Sequence, residues 1–311
     1  MRECILEHGG EIHFSTCVDE SLFSSLIASS PHRHIATILA IGHSAHDTYH
    51  MLHANGVALA TKGFAMGVRA EHPQSLINKL MYHETSPELI RLVGNASYSL
   101  VTQVQGRGVY SFCMCPGGHI VPAGSALNSC VVNGMSASHR NSPYANSGMV
   151  VEIRPEDLSE QDPLAGLRFQ QHLEYLSYQH GGEPSLAPAQ RMRDFVEGKV
   201  SKTLPSCSYL PGTVSSRLDQ WLPEHIGKRL QQGFRDFDRK YRGFLTNEAV
   251  ILGVESRSSS AVRLPRDPET LQSISTPHLY PCGEGAGYAG GITSSALDGI
   301  NVALKIAEQK D

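Results

Sequence analysis

The string GEGAGYAGGI at residues 283–292 restricts the fold of this chain more than any other feature. Five of its ten residues are glycine, which tolerates positive φ angles and lets a backbone approach another group closely. The preceding run HLYPCGE predicts a brief strand. Residues 294–309 predict a helix whose inward-facing residues are Ala296, Ile300, Ala303, Leu304 and Ala307. The string is therefore predicted to be a tight strand-to-helix loop whose N–H groups face a ligand.

A carboxylate and a helix terminus give this loop two means of holding a ligand. Glu284 follows the predicted strand and can accept hydrogen bonds from sugar-like hydroxyls. The N-terminus of the last helix carries partial positive charge, which favours an anionic group. A plain connecting turn is the alternative, because glycine-rich turns commonly join a strand to a helix.

A second strand-turn-helix unit is predicted near the start of the chain. Residues 35–41, IATILAI, form a short apolar run typical of a strand buried on both faces of a sheet. Ser44 and Asp47 have the spacing of a helix-capping signal, and the helix is expected to end near Gly56. An earlier strand is expected at residues 11–18.

The middle of the chain mixes strands and helices. Residues 63–148 are rich in glycine, serine, asparagine and β-branched residues, which predicts short strands with tight turns. Helical spacing predicts two helices within residues 164–200 and two more within residues 218–241, separated near Pro223. The predicted fold class is α/β with an α+β insert, in two domains, since 311 residues exceed one average domain.

Charge and cysteine content exclude several classes of protein. The formal net charge is -4 and the basic residues form no stripe, so no nucleic-acid partner is expected. No apolar run reaches the roughly 20 residues of a membrane-spanning helix, and residues 1–10 lack the apolar core of a secretory signal. Seven scattered cysteines predict reduced thiols. We therefore expect an intracellular, cytoplasmic protein without a membrane partner, and we predict neither organelle import nor oligomeric state.

Six ordered strings resemble one known family. They are the terminal loop, GHSAHDTYHML, KGFAMGVRAEHPQ, RGVYSFCMCPGG, NGMS and ESRSSSAVRLPRD, and they run over nearly the whole chain. Together they resemble uncharacterised FAD-dependent dehydrogenases related to the glutathione reductase class of flavoproteins. The resemblance implies an oxidoreductase that holds FAD and acts on an unknown small molecule, with NAD(P)H as a possible electron donor.

The resemblance also implies a domain arrangement and a set of cofactor contacts. Residues 1–60 and 262–311 would form an incomplete three-layer FAD/NAD(P)-binding domain, into which residues 61–261 insert a mixed β-rich and helical substrate domain. The residues implied to contact the cofactor are Gly42, His43, Ser44, Ala45, Gly283, Glu284, Gly285, Gly287, Tyr288, Gly290, Gly291 and Ile292.

Two departures from the family pattern modify these expectations. The family usually has arginine after GHSA, where this chain has His46, so a phosphate contact by that arginine is not implied. Such enzymes begin with a strand, a GxGxxG turn and a helix that hold the FAD pyrophosphate. Nothing before residue 11 supplies them, so we expect a C-terminal portion that carries half of a cofactor site.

Cys113, Cys115 and His43 are the candidate catalytic residues. Alternate residues of a strand share a face, so the two thiols of CMCPGG are predicted to lie together over a flavin. Buried, inert thiols are the alternative, and a lone C-x-C predicts no zinc site. His46 and His50 lie one helical turn apart and could hold a metal, but no HExxH glutamate accompanies them, so no metal is predicted.

Arginines are the candidate substrate ligands, because a guanidinium binds carboxylates and phosphates in a forked geometry. Arg69, Arg140, Arg257 and Arg263 lie in or beside the matched strings, and Arg140, Arg257 and Arg263 are assigned this role, with surface ion pairs as the alternative. Asn133 and Ser136 could hydrogen-bond the flavin edge, although a simple Asn-Gly turn explains them equally well.

Three functions from different classes remain open at this point. The first is an FAD-dependent oxidoreductase, present here as its C-terminal portion. The second is a non-catalytic binding or interaction protein that derives from the same family and has lost full FAD binding. The third is a thiol redox protein that uses Cys113 and Cys115. Flavin colour separates the first from the second, since bound flavin absorbs at roughly 450 nm.

Overall fold

The structure of the protein is a computed structural model. It describes residues 1–33, 36–83, 86–124, 126–159, 161–182 and 185–308. The helices are α1 Arg2–Glu7, α2 Glu20–Arg33, α3 His46–Ala54, α4 Gln74–Tyr82, α5 Pro87–Val93, α6 Ala165–Gly181, α7 Met192–Glu197, α8 Leu218–Trp221, α9 Glu224–Lys240 and α10 Ile292–Glu308. The strands are β1 Thr37–Leu39, β2 Ala60–Thr61, β3 Phe64–Pro73, β4 Val101–Val104, β5 Arg107–Cys115, β6 His119–Pro122, β7 Val132–Met135, β8 Tyr144–Ile153, β9 Ala187–Arg191, β10 Thr213–Ser215, β11 Val250–Glu255, β12 Val262–Arg263 and β13 Leu279–Pro281. Within the described residues, no helix combines the length and the apolar character that crossing a membrane requires.

Seven strands form one mixed sheet, which confirms the predicted mixture of α and β structure. Their order is β10-β9-β11-β3-β8-β5-β4. Neighbouring strands run antiparallel, except that β9 and β10 run parallel. The strands predicted within residues 63–148 are therefore present, but that stretch also contains α4 and α5.

Alternation along β3 places apolar side chains on one face of this sheet and polar ones on the other. Met66 and Val68 lie in the largest hydrophobic core, where Phe234 of α9 packs on the sheet. Arg69 and Glu71 point to the opposite face and are also buried. The hairpin of β6 and β7 contacts that second face, so the sheet is covered on both sides.

Strands β1 and β13 form a separate two-stranded parallel sheet, in which Thr37 pairs with Leu279. Tyr49 of α3 shares a core with Leu279 on one face. Val302 of α10 packs near Tyr280 on the other face. Helix, sheet and helix thus form three layers in this smaller region.

Two strands predicted near the start differ from the structure. Residues 11–18 form turns and irregular chain, because no strand of the described chain pairs with them, and Phe14 stays 65% exposed. Only Thr37–Leu39 of the predicted strand at residues 35–41 is a strand, and Ile35 lies outside the described residues. Ile38 is 45% exposed, so the prediction of burial on both faces was wrong. In the described chain only β13 pairs with β1, and Ile38 lines an open cavity with Val18 and Phe23 instead of lying under a packed layer.

Most predicted helix boundaries are confirmed, with two exceptions. Helix α3 ends before Gly56, whose φ is +73°, but its N-cap is Ala45 rather than Ser44. Helix α6 ends at Gly182 in a left-handed cap, and Pro223 separates α8 from α9. The second helix predicted within residues 164–200 was expected to begin with APAQR, but these residues, 187–191, form β9 because they pair with β11 and β10.

The last helix turns its apolar stripe outward, contrary to the prediction. The five residues predicted to face inward, Ala296, Ile300, Ala303, Leu304 and Ala307, are all exposed. Asp298 and Val302 are the buried residues of α10. The Asp298 carboxylate accepts hydrogen bonds from Arg266 and from the Gly283 N–H, and these bonds turn the polar side of the helix toward the protein.

Candidate functional site

The two loops implied to contact the cofactor, residues 42–45 and residues 283–292, meet where β1 and β13 end. Because the strands are parallel neighbours, their carboxyl ends lie side by side and the loops that follow them come into contact. The Tyr49 hydroxyl lies 2.8 Å from the carbonyl oxygen of Gly285 and 3.3 Å from that of Gly42. Burial raises the pKa of Tyr49 to about 12, so the phenol stays a neutral hydrogen-bond donor. Tyr49 thus hydrogen-bonds both loops, a role that no pattern in the sequence indicates.

The glycines of the terminal loop have two different roles. A Cβ on Gly285 would lie 2.4 Å from the Gly42 carbonyl oxygen, so glycine is required for the contact between the loops. Gly287 has a φ of +82°, and its Cβ would lie 2.9 Å from the Val262 oxygen. Gly290 has no atom within 4 Å of its Cβ position, nor has Gly291. The first glycines of the loop therefore pack on protein, and only the last two leave space for a ligand.

Spacing in the same loop carries a signal that sequence reasoning missed. Gly285, Gly287 and Gly290 have the GxGxxG spacing, between strand β13 and helix α10. In the dinucleotide fingerprint, the second glycine lets the backbone approach a pyrophosphate. In this structure, the close approaches at Gly285 and Gly287 are made by protein atoms. The spacing therefore does not create a phosphate-binding turn here.

A buried carboxylate on α10 fixes the loop from below. Asp298 accepts a 2.7 Å hydrogen bond from the Gly283 N–H and a 2.6 Å bond from Arg266. Burial opposes ionisation of Asp298, but the hydrogen bonds from Arg266 and Gly283 hold the pKa of the carboxyl below its usual range. The Arg266 guanidinium lies 3.9 Å from the Tyr288 ring centroid, and the backbone N–H of Arg266 donates to the Tyr288 hydroxyl. Tyr288, predicted to contact the cofactor, thus supports the loop.

Charged side chains surround the junction of the two loops. His43 Nδ1 lies 3.4 Å from Glu284 Oε1, and both side chains are about one-quarter exposed or less. Lys62 Nζ donates to the carbonyl oxygen of Ser260 at 3.3 Å. Burial, and then the neighbouring Arg263, lower the pKa of Lys62. Of the predicted residues, His43, Glu284 and Arg263 therefore come together, and Lys62 joins them without having been predicted.

Arg257 and Arg140, predicted to bind substrate, lie in different surroundings. Arg257 forms an ion pair with Glu174 at 3.3 Å and donates to Ser44 Oγ at 3.2 Å. Glu174 is 2% exposed, so the charge of Arg257 is balanced inside the protein. Arg140 lies in the loop after β7, where its carbonyl oxygen accepts a hydrogen bond from Asn95. The sequence does carry a signal for Glu174, because its carboxylate falls at a buried position of the apolar pattern of α6 and so needs a charged partner.

The two cysteines of CMCPGG lie beside a buried arginine rather than on a regular strand face. A β-bulge separates Phe112 from Cys115, and Cys113 has a φ of +44°, so the alternation behind the shared-face prediction is interrupted. Arg69 is fully buried and donates to Cys115 Sγ at 3.4 Å. It also forms a 3.1 Å ion pair with Glu255. Each cysteine of the described chain is a free thiol.

The other predicted polar residues stabilise local structure. Asn133 Oδ1 accepts a hydrogen bond from Arg69 at 3.4 Å, and Ser136 donates to the Pro116 carbonyl oxygen at 3.3 Å. His46 Nδ1 lies 3.2 Å from Gln171 Nε2, and burial is the main cause of its lowered pKa. The described residues contain no group of three His, Cys, Asp or Glu side chains placed to hold a metal ion.

A cavity of about 430 Å³ opens between the terminal loop and the large sheet. Its lining comes from both regions of the molecule and consists of Gly63, Phe64, Ala65, Tyr110, Phe112, Glu152, Ile153, Ser258, Ser259 and Gly290. This volume lies in the range of small-molecule sites, which is roughly 300–1,000 Å³. One of the two open glycines, Gly290, therefore borders a space that a ligand can occupy.

Comparison with known proteins gives two findings. Residues 63–258 match the model of a family described as "FAD-dependent protein, C-terminal domain-like". An uncharacterized protein of Clostridium beijerinckii is 42% identical over 323 residues, an alignment that covers all of this chain and 60% of the relative. The chain thus spans about three-fifths of the length of that relative.

Proposed function

The chain belongs to the FAD-dependent protein, C-terminal domain-like family, and we propose that it forms the part of an FAD-dependent oxidoreductase that meets the flavin ring and ribityl chain. The observation that carries this proposal is the junction of two glycine loops at the carboxyl edge of β1 and β13, beside a cavity. Ligands of open α/β sheets bind at such carboxyl edges.

The residues at the junction fit the ring end of a flavin. Gly290 and Gly291 leave open space just before the N-terminus of α10, whose partial positive charge favours an electron-rich ring edge. Glu284 can accept hydrogen bonds from ribityl hydroxyls, and Lys62 and Arg263 add positive charge nearby. The bound flavin would supply electron transfer, while these residues would orient it and limit access of water.

The domain arrangement that we propose has two parts. Residues 1–60 and 262–311 would form the FAD/NAD(P)-binding unit, and residues 61–261 the inserted substrate domain. The parallel pairing of β1 with β13, with α3 and α10 on opposite faces, supports this division. The exposed apolar side of α10 supports packing of further polypeptide there, in proteins as long as the Clostridium relative.

The activity of the whole protein is part of the same proposal, because the chain spans only part of its relative. The substrate class is an organic small molecule that enters from the side of residues 61–261. NAD(P)H is our candidate electron donor, and its test is reduction of the bound flavin under anaerobic conditions. Dithionite should reduce the same flavin whether or not NAD(P)H does.

Titration with FAD tests the proposal most directly. Purified protein should take up FAD and show an absorbance band at roughly 450 nm. Gly290→Val should weaken uptake strongly without lowering the melting temperature, because its Cβ position is open and its φ is not positive. Gly227→Ala in α9 is the matched control, since its Cβ would meet only an ordinary contact at 3.9 Å.

A different result would favour the second function. Protein that stays colourless in excess FAD would refute flavin binding by this chain and favour a non-catalytic binding protein. The observation that supports this second function is that Gly285 and Gly287 pack against protein atoms and leave no space there for a ligand. Unchanged FAD uptake in Gly290→Val would refute the site while leaving flavin binding itself intact.

A further inference from the structure

The cavity beside Gly290 has an aromatic side that is open to a ligand. Tyr110 and Phe112 occupy alternate positions of β5, so both rings point to the same face of the sheet. Phe112 pairs with Gly148 across the strands, so no side chain from that position covers its ring. Both aromatic residues are half-buried and line the cavity. Such rings stack on planar, unsaturated molecules.

The cavity also has a cation at its edge, Lys62, whose hydrogen bonds go to neutral oxygens. Lys62 Nζ donates to the Gly63 oxygen at 3.3 Å and to Ser259 Oγ at 3.5 Å, and both of these residues line the cavity. Its third partner is the carbonyl oxygen of Ser260. In the part of the chain that the structure describes, no carboxylate forms an ion pair with Lys62. Three neutral oxygens hold the ammonium, and Glu284 acts on its charge from beside His43, so Lys62 can still attract an anion at the cavity.

The carboxylate that lines the cavity is already balanced. Glu152 forms a 2.6 Å ion pair with Arg154 and accepts a 3.1 Å hydrogen bond from the Gly108 N–H. The charges that act on Lys62 are the cation Arg263 and the carboxylate Glu284, and Glu284 lies 3.4 Å from His43, so positive charge is in excess at this edge. An anionic ligand is therefore attracted to this edge more strongly than a cationic one.

We propose that this cavity binds a planar aromatic anion, with its ring against Tyr110 and Phe112 and its carboxylate or phenolate on Lys62. The role of this anion as substrate rests on the proposed flavin function, because Gly290 of the flavin loop borders the same cavity. The binding itself requires only residues of this chain. It can therefore be measured without flavin.

Calorimetric titration of the full chain with 2-naphthoate and with its neutral analogue 2-naphthamide tests the proposal. Naphthoate should bind more tightly, and Lys62→Met should weaken naphthoate roughly tenfold while leaving naphthamide nearly unchanged. Phe112→Ala should weaken both compounds equally, since it removes stacking surface and no charge. Lys199→Met is the matched control, because Lys199 is 66% exposed, pairs with Glu197 and is not among the residues that line the cavity.

The outcomes separate this proposal from the flavin function. Equal affinity of the two compounds, or an unchanged ratio in Lys62→Met with a wild-type melting temperature, would overturn the aromatic anion site. One-for-one displacement of naphthoate by FAD would also overturn it, because the cavity would then hold the flavin ring. Naphthoate binding in a chain that takes up no FAD would keep this site and refute only the flavin proposal. Uptake of FAD without naphthoate binding would do the reverse.

Discussion

The seven-stranded sheet and the two-stranded sheet differ in how completely the chain covers them. In the large sheet, one face packs on α9 through a broad apolar core, and the other buries even Arg69 and Glu71. In the small sheet, Ile38 remains 45% exposed and α10 presents its apolar stripe to the outside. The large sheet is thus covered on both faces, although Val101 on its edge strand β4 is 67% exposed, whereas the small sheet leaves the apolar stripe of α10 uncovered.

This difference indicates that the large sheet supplies most of the stability, whereas the candidate binding site lies in the less stable small sheet. Parallel sheets are normally covered on both faces, so a two-stranded parallel sheet with open apolar surface gains little stability from itself. The candidate flavin site lies at the edge of that sheet. Its geometry therefore depends on a few specific bonds, such as those of Tyr49 and Asp298, more than on extensive packing.

The largest expected effect comes from the core of the large sheet. Phe234→Ala should lower the free energy of unfolding by about 3–5 kcal/mol, because Phe234 is 1% exposed and its loss leaves a cavity. Urea denaturation measures the change. If Val302→Ala in the core beneath α10 cost more than Phe234→Ala, the contrast between the two regions would be wrong.

A pH-dependent effect should arise from the second face of the same sheet. Burial raises the pKa of Glu71 to about 7, although hydrogen bonds from Ser208 oppose the rise. The folded state holds this proton more tightly than the unfolded state, so stability falls as pH rises from about 4.5 to about 7. Glu71→Gln should remove this dependence, which is on the order of 1–3 kcal/mol.

Urea unfolding at pH 5 and pH 8 checks this expectation. The unfolding free energy of Glu71→Gln minus that of the wild type should be larger at pH 8 than at pH 5. The exposed Glu88→Gln serves as control and should shift neither curve. An identical pH dependence in wild type and Glu71→Gln would show that another group is responsible.

In the small sheet, the pH dependence should have the opposite sign. The pKa of Asp298 is held low in the folded state, so its contribution is present above the ordinary pKa of aspartate and is lost as pH falls through the folded value. Asp298→Asn should cost about 1–2 kcal/mol at neutral pH and weaken FAD uptake. Hydrogen exchange of the Gly283 N–H should become faster.

A second variant on the same helix provides the control for Asp298→Asn. Glu308 pairs with Lys305 on the surface of α10, where its side chain is 65% exposed. Glu308→Gln should leave both stability and FAD uptake unchanged within error, since exposed ion pairs contribute little. Equal effects of the two variants would contradict the role of Asp298 as the loop anchor.

The smallest effect on stability should come from the outward stripe of α10. Leu304 is 59% exposed, so Leu304→Gln should change the free energy of unfolding by less than about 0.5 kcal/mol. The same change should lower binding of an apolar dye to the isolated chain. A large loss of stability would mean that α10 packs inward, as the sequence pattern had suggested.

The sequence predicted elements better than it predicted which surfaces they bury. Periodicity located α10 correctly, but an apolar stripe does not reveal whether polypeptide covers it, and Asp298 decided the orientation. Residues 11–18 alternate like a strand, yet a strand also needs a partner. The segment APAQR was misassigned because its pairing with β11 joins residues far apart in the chain.

For the candidate site, local strings were informative and long-range charge pairing was not. The two loops were predicted to lie near one cofactor, and the structure places Gly42 against Gly285. The prediction of Arg257 as a free substrate ligand could not include Glu174, which lies 83 residues away. Lys62 was missed because its importance depends on its hydrogen bonds to Gly63, Ser259 and Ser260 at the cavity, and no sequence pattern reports those contacts.

The hydroxyl of Tyr49 has a consequence for the order in which the molecule assembles. It connects α3 to an oxygen 236 residues further along the chain, so the junction exists only after nearly the whole polypeptide has closed on itself. Contacts of such long range form against a large loss of chain entropy and tend to come late in folding. Ligand binding at this junction would therefore report completed folding, and a kinetic trace of ligand uptake should lag behind the appearance of secondary structure.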